Sequence, residues 1–388
     1  MPELDSLRGV AILLVVYFHA FFWMNWRPEG AAGMSRAMRL LSLSALPGWA
    51  GVDLFFVLSG FLITGILIDS RARPAGLFFK TFYMRRALRI LPLYYLVLFV
   101  VGAALLAYNE VSPSFLLYSV VYCSNIALMQ GLRAEFPLVV IWSLAIEEQF
   151  YLVWPAVVKF LSARALLVIL LVLCVGVPVI RALSFVHWGY VDKGLYFGTW
   201  FRFDSFAWGG LLALFVRSRL FTRKSFFILC AGLLGAAVVL GGAGARYGIA
   251  TRTQLTGAAL QFTLLSLVFA GCLGLLLLAG TSRYAWLVDI RPLRFFGRIS
   301  YCLYLIHQFC FWTYDKTFAA FGLDSRTLLG GELPSIVLRA CIVVAAAVGV
   351  SALSYRYFEA PILSLKNRYP TKTTAPEQSP DGRLMPAL

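Results

Sequence analysis

Charge is what this 388-residue sequence has least of: Asp, Glu, Lys and Arg together make up 13% of it, against 61% hydrophobic residues. A water-facing globule usually carries about a quarter charged residues, so ordinary soluble folding is excluded before any motif is read. Acidic residues are scarcer than basic ones, 18 against 34, leaving a net charge of +16. That balance could suggest nucleic acid. The basic residues, however, fall in short clusters between apolar runs, the pattern the positive-inside rule produces in membrane proteins, so no nucleic-acid partner is expected. The seven cysteines are an odd, scattered set without C-x-x-C spacing. They read as small hydrophobes, not as disulfides or metal ligands, and no metal is expected. Also missing are a basic leader with a cleavage site, an internal repeat, and any loop longer than about thirty residues that could hold a soluble domain.

Long apolar runs are what the chain does have. Eleven are long enough to span a bilayer, near 9–26, 46–68, 90–108, 115–132, 139–160, 164–183, 197–216, 225–244, 257–280, 297–318 and 334–355. Each true crossing moves the next loop to the other side, so the distribution of Lys and Arg tests the count. With eleven crossings and Arg8 inside, 16 of the 34 basic residues fall inside and 18 outside, which is no bias. If 115–132 does not cross, the split becomes 22 inside and 12 outside. That run, SFLLYSVVYCSNIALMQG, also carries Ser, Tyr, Asn and Gln along its length. The expectation is an all-α polytopic membrane protein with ten transmembrane helices, both termini cytoplasmic, and 115–132 re-entrant or interfacial. Residues 1–362 form a single transmembrane domain and 363–388 a disordered cytoplasmic tail.

The first run, LRGVAILLVVYFHAFFWMNW (7–26), holds one histidine in an apolar stretch. Arg8 and His19 are eleven residues apart, almost three helical turns, so both lie on one face. Their separation is roughly 16 Å along the axis, about half a ~30 Å hydrocarbon core. An Arg at the membrane edge therefore leaves the imidazole near mid-depth, where polar groups are costly and are functional candidates.

Several later residues share that standing. In GWAGVDLFFVLSGFLITG (48–65), Asp53 lies two turns from the outer face with Gly60 along its seam, and is either a site acid or a packing partner. In PLVVIWSLAIEEQFYLVWP, Ser143, Glu147 and Tyr151 share one face while Glu148 points about 100° away. Glu147 reads as the group that orients His19 or takes a proton, Glu148 as a neutraliser of a basic residue, unless both are structural ion-pair partners. In FYMRRALRILPLYY, Arg85, Arg86 and Arg89 crowd a cytoplasmic helix end, and the R-x-x-R pair suits phosphate or simply marks topology and lipid headgroups. Arg202 and Asp204 in TWFRFDSFAWGGLLAL sit at an outer helix end, where they bind a polar acceptor or pair with other charges. His307 in RISYCLYLIHQF reads as a hydrogen-bonded packing histidine, and His187 as a loop residue.

PELDSLRGVAILLVVYFHA resembles the first-helix signature of the membrane-bound acyltransferase-3 family, and six further blocks resemble that family's later motifs in the same order: GVDLFFVLSGFLITG, FYMRRALRILPLYY, WSLAIEEQFYLVWP, RFDSFAWGGLLAL, SYCLYLIH and YRYFEAP. The similarity covers about 2–361. It implies an O-acyltransferase that moves an acyl group, usually acetyl from acetyl-CoA, to a hydroxyl of a sugar, polysaccharide or glycosylated small molecule. It also implies that Arg8 and His19 are essential, that Arg86 and Arg89 meet the CoA phosphates, that Glu147 stands with His19, and that Arg356 and Glu359 match a further family position. The expectation is the stand-alone form, without the C-terminal esterase-like domain that some members carry, in the bacterial cytoplasmic membrane.

Physics and resemblance fit one mechanism. Acyl-CoA docks at the cytoplasmic arginines, Arg8, Arg85, Arg86 and Arg89, and its pantetheine arm reaches inward. His19 acts as general base or accepts the acyl group, with Glu147 holding the ring. The acceptor enters from the outer face past Asp53, Arg202 and Asp204, with Glu148 and Tyr151 deeper on its path. The competing class is a transporter or flippase, since mid-membrane ionisable residues also mark substrate paths. No pair of broken helices in related halves supports it.

Overall fold

The computed structural model describes residues 2–23, 35–189, 192–280, 282, 286 and 289–369. They are helical almost throughout, and among them no strand forms beyond one isolated bridge between Val111 and Ala134. Helix α1 (Pro2–Phe18) widens into π geometry over His19–Trp23. Helix α2 (Arg36–Ala45) is capped by the Ser35 hydroxyl, which accepts from the Met38 amide, and turns through Leu46–Ala50 into α3 (Gly51–Asp69). Then come α4 (Ala75–Ala107), the short α5 (Pro113–Val120), α6 (Ser124–Met129) and α7 (Phe136–Val139), and α8 (Ile141–Phe160). The second half holds α9 (Ala163–Trp188), α10 (Asp192–Phe197), α11 (Phe203–Val216), α12 (Arg223–Ala245), α13 (Leu255–Gly280), α14 (Arg291–Ala320), α15 (Glu332–Ser354) and α16 (Ala360–Ser364).

Eight of these stretches are long and apolar enough to cross a membrane, which makes the chain an integral membrane protein. They coincide with eight of the ten predicted spans. The other two are helices of a different kind. Helix α11 is apolar but only 14 residues long. Helix α14 is 30 residues long but carries Arg291, Arg294, Arg298, Asp315 and Lys316. The run 115–132 does not form a continuous helix: it breaks between α5 and α6, where Tyr122 takes a positive φ of 56°. The carbonyls at the break are covered by side chains, Ser119 by the Tyr94 hydroxyl at 2.7 Å and Tyr122 by the Gln149 amide at 2.8 Å. Irregular backbone at this depth requires such cover.

Two glycine seams bring the central helices together. On α1 and α14, a Cβ at Gly9 would strike the Leu293 backbone and one at Gly297 the Asp5 backbone. On α3 and α11, Gly60 meets the Phe206 backbone and Gly209 the Val57 backbone. Small residues permit this spacing where membrane helices have no hydrophobic drive to associate. Helices α9 and α12 lie outside, exposing Val172, Val175, Val238 and Val239 as a lipid-facing surface would.

One predicted boundary moves. The chain does not leave the fold at 362 but stays helical through Leu365–Arg368, because the Arg85 guanidinium donates to the Lys366 and Tyr369 carbonyls at 3.2 and 2.9 Å. The rest of the predicted tail, 370–388, lies outside the described residues.

Candidate active site

Three cavities follow one another through the bundle. The first, about 170 Å³, is the basic one, lined by Arg8, Arg73, Arg85, Arg86, Arg89 and Lys366. These side chains converge from α1, the α3–α4 turn, the third to fifth turns of α4 and the turn Leu365–Arg368. That many cations against one small volume is a cradle for a polyanion, and Arg86 and Arg89, one turn apart, can offer paired N–H groups to phosphate.

Arg8, Arg86, Arg89 and Leu62 also line the second, central cavity of about 100 Å³, so the two volumes share a wall. Here Glu147 accepts from the Ser59 hydroxyl and from the Tyr151 hydroxyl, each at 3.1 Å, while Tyr151 lies 3.1 Å from Ser59. The Arg86 guanidinium lies over the Tyr151 ring, 5.3 Å from its centroid. Glu147 was expected beside His19. It is held instead by Ser59 and Tyr151 in the central cavity, while His19 lines the third. The i, i+4 spacing puts Tyr151 on the face of Glu147, and tertiary packing turns that face toward α3 and Arg86.

Val52 and Tyr304 line both the central cavity and the third, which is the largest at about 450 Å³. Its walls are aromatic, with Phe18, Trp49, Trp142, Tyr196 and Phe197 among them, and its polar groups include Arg252, Gln261 and Gln308. The carboxamide oxygens of Gln261 and Gln308 are buried without a hydrogen-bond partner. Half-buried His19 lies at this wall, on the first residue of the π turn, a helix irregularity frequent at functional sites. Its Nδ1 is 2.8 Å from the Val15 carbonyl and 3.2 Å from Nε2 of His307. The His307 ring is buried, with Nδ1 at 3.0 and 2.8 Å from the carbonyls of Leu303 and Tyr304.

The charged groups predicted to meet an acceptor are placed otherwise. Asp53 and Arg202 are fully buried and face each other at 3.4 Å, with the guanidinium 3.8 Å from the Phe262 centroid and also over Phe56, Trp142 and Tyr196. Asp204 is fully buried against Arg181 at 2.7 Å, and both bond Thr263. None of these four lines any of the three cavities. Arg181, Asp204 and Thr263 spend their polar atoms on one another inside the α3–α9–α11–α13 cluster, while the Asp53 oxygens and the Arg202 nitrogens meet only as an ion pair and have no hydrogen-bond partner, and none of the four stands on the expected acceptor path. Glu148 likewise lines none of the three cavities, and its Oε1 is buried without a hydrogen-bond partner. Glu359 is buried and accepts from the Ser354 hydroxyl at 3.3 Å, and Arg356 lies over Tyr357. Among the described residues, no group of three His, Cys, Asp or Glu side chains is placed to hold a metal ion.

Sequence reasoning took His307 for a hydrogen-bonded packing histidine, and its backbone bonds are there, but the contact to His19 was not foreseen. It missed Tyr304, Ser59, Arg73, Lys366 and the aromatic wall.

Comparison with known proteins bears on this geometry. A family profile described as an acyltransferase domain matches residues 1–356. The peptidoglycan O-acetyltransferase OatA of Listeria monocytogenes is 29% identical over 391 residues, covering 93% of this chain and 56% of that relative. The O-acetyltransferase OatA of Staphylococcus aureus is 26% identical, over 93% of this chain and 57% of its own length. The putative peptidoglycan O-acetyltransferase YrhL of Bacillus subtilis is 33% identical over 195 residues, 46% of this chain and 28% of the relative. The chain thus spans little more than half the length of the curated relatives it matches from end to end. No solved structure matches it.

Proposed function

The chain belongs to the membrane-bound acyltransferase-3 family, and from that premise we propose that it is an integral membrane O-acetyltransferase that moves acetyl from acetyl-CoA to a hydroxyl of a glycan. The relatives' names make peptidoglycan the first acceptor to try. The basic cavity faces the cytoplasm, where the donor is made, and the aromatic cavity faces the outer side of the cytoplasmic membrane. The charge distribution supports this orientation: of the 12 basic residues counted outside, Arg181, Arg202 and Arg339 are fully buried, so the inner excess is larger than loops alone suggested.

The observation that carries the reading is contiguity. The basic cavity shares Arg8, Arg86 and Arg89 with the central one, which shares Val52 and Tyr304 with the aromatic one, where His19 stands. Arg8, Arg73, Arg85, Arg86, Arg89 and Lys366 hold the donor phosphates by charge-assisted hydrogen bonds. The central cavity takes the pantetheine arm, whose amide N–H groups Glu147 is placed to accept. Aromatic faces stack on the sugar, and the unpartnered oxygens of Gln261 and Gln308 accept from its hydroxyls.

His19 Nε2 takes the proton of the acceptor hydroxyl as that oxygen attacks the thioester carbonyl carbon. The C–S bond breaks, the thiolate leaves, and His19 returns the proton to sulfur, so the ester and free CoA are the only products. A transporter reading is not retained, because transport leaves the family assignment unexplained. Purified protein supplied with acetyl-CoA and a peptidoglycan fragment is expected to release free CoA, and His19→Ala to slow that release by ~10²–10⁴-fold, the span a general base contributes. A His19→Ala protein with wild-type turnover would remove His19 from the mechanism.

A further inference from the structure

We infer that His307 is a positioning residue: it fixes the orientation of His19 and supplies a hydrogen-bond acceptor for the imidazolium that forms during transfer. This rests on the reading of His19 as the base. The argument starts from the backbone. Carbonyl oxygens only accept, so Nδ1 of His307, at 3.0 and 2.8 Å from the carbonyls of Leu303 and Tyr304, carries its ring's proton. A neutral imidazole has one N–H, so Nε2 of His307 is left as a bare lone pair.

That lone pair faces Nδ1 of His19 at 3.2 Å, and the same Nδ1 is 2.8 Å from the Val15 carbonyl. Nδ1 of His19 therefore carries a proton shared between two acceptors, and the free lone pair of His19 is on Nε2. The ring planes are inclined by 55° with centroids 4.9 Å apart, so His307 meets its neighbour through the nitrogen and not by stacking. His307 lines none of the three cavities.

The consequence appears when His19 takes the hydroxyl proton. The new positive charge spreads over both nitrogens, in a wall built of Phe18, Val15 and Phe22. Val15 alone would leave Nδ1–H with one acceptor. His307 adds a second whose polarity cannot reverse, because its own proton is committed to the backbone of α14. A neutral acceptor does here what a carboxylate does in a serine-protease triad: it holds the ring without removing its proton. The role that the sequence assigned to Glu147 thus falls to a histidine.

The test uses two amides of different reach. In His307→Gln the side-chain oxygen comes to the place of Nε2 and still accepts from His19. In His307→Asn the amide reaches only the place of Nδ1 and leaves His19 without its second acceptor. With full-length protein, acetyl-CoA and a peptidoglycan fragment, His307→Asn is expected to lower kcat by about 10–100-fold, less than the loss of the general base itself, with KM for acetyl-CoA within about twofold. His307→Gln is expected to stay within about threefold of wild type. Equal kcat losses in both variants, or wild-type kcat in His307→Asn, would overturn the inference. Independently of activity, the chain has only three histidines, so nitrogen NMR of the histidine-labelled wild-type protein can assign them. His19 and His307 should both be protonated at Nδ1 at neutral pH, and a proton on Nε2 of either would also overturn it. If His19→Ala stays active while the spectrum is as expected, the base reading fails and the pairing stands.

Discussion

Tyr304 and Ser143 are joined by a 2.7 Å hydrogen bond where the central cavity meets the aromatic one. The Val140 carbonyl lies within reach of both hydroxyls, 3.0 Å from the phenol and 3.4 Å from the serine, so either can be the donor between the two. Its ring lies between Phe55 and His307, with centroids 6.3 and 6.0 Å away. Tyr304 thus stands between the central and the aromatic cavity, which in the proposed mechanism separates the thioester's path from the acceptor chamber.

Loosening that partition should let water reach the donor. Tyr304→Phe removes both hydrogen bonds at a cost of about 1–3 kcal/mol in stability, and acceptor-independent hydrolysis of acetyl-CoA is expected to rise several-fold. Free CoA released without any glycan is the quantity to follow. A rate unchanged from wild type would mean that Val52 and the neighbouring backbone close the boundary without the phenol.

The Asp53–Arg202 pair is expected to matter for folding more than for donor binding. Both side chains are fully buried, and neither lines a cavity. Removing one partner of such a pair costs about 3–5 kcal/mol, because the other charge is left without compensation. Arg202→Leu should lower the unfolding temperature in detergent markedly, and Arg202→Leu with Asp53→Asn should recover part of it. The KM for acetyl-CoA should stay near wild type in whatever protein folds. A selective rise in KM with normal thermal stability would return the pair to the site.

How far the sequence spoke can be judged from particular residues. Hydropathy located every long helix, because a bilayer demands about twenty apolar residues whatever the neighbours are. The positive-inside count singled out 115–132 as the exceptional run, and the chain there does break into two short helices at Val121–Cys123, around the positive φ of Tyr122. What the pattern could not give was which charge meets which. Asp53, Arg202, Asp204 and Arg181 come from α3, α11 and α9, and a carboxylate that faces a cavity looks the same in sequence as one that faces an arginine. Helical spacing put Glu147 and Tyr151 on one face correctly, yet the azimuth of α8 relative to α1 is set by tertiary packing. His307 was undervalued for the same reason. Its significance lies in the 3.2 Å contact to a residue 288 positions away.

The basic cavity gives a prediction that separates charge from geometry. Arg86→Lys with Arg89→Lys keeps two positive charges but loses the planar fork that grips phosphate in pairs. CoA affinity measured by calorimetry should fall about 10-fold or more, since hydrogen bonds to charged groups contribute about 1.5–3 kcal/mol each. Alanine at both positions should weaken it further and flatten its dependence on salt. Equal affinity for the lysine variant and the wild type would mean that the cavity acts only as a positive field.

Gln308 offers a case in which stability and affinity should move in opposite directions. Its side chain is 1% exposed, lines the aromatic cavity, and carries a carboxamide oxygen with no partner. An unsatisfied buried acceptor costs about 1–3 kcal/mol, a cost that a sugar hydroxyl donating to it would remove. Replacing Gln308 with Leu, similar in volume and without polar atoms, should therefore raise the unfolding temperature. The same change should raise the acceptor KM by about 5–10-fold, the value of about 1 kcal/mol of net hydrogen bonding, and leave the KM for acetyl-CoA unaltered. A purely structural carboxamide would instead lower stability on replacement and leave both constants in place. Unfolding temperature and acceptor KM, measured on the same preparation, distinguish the two.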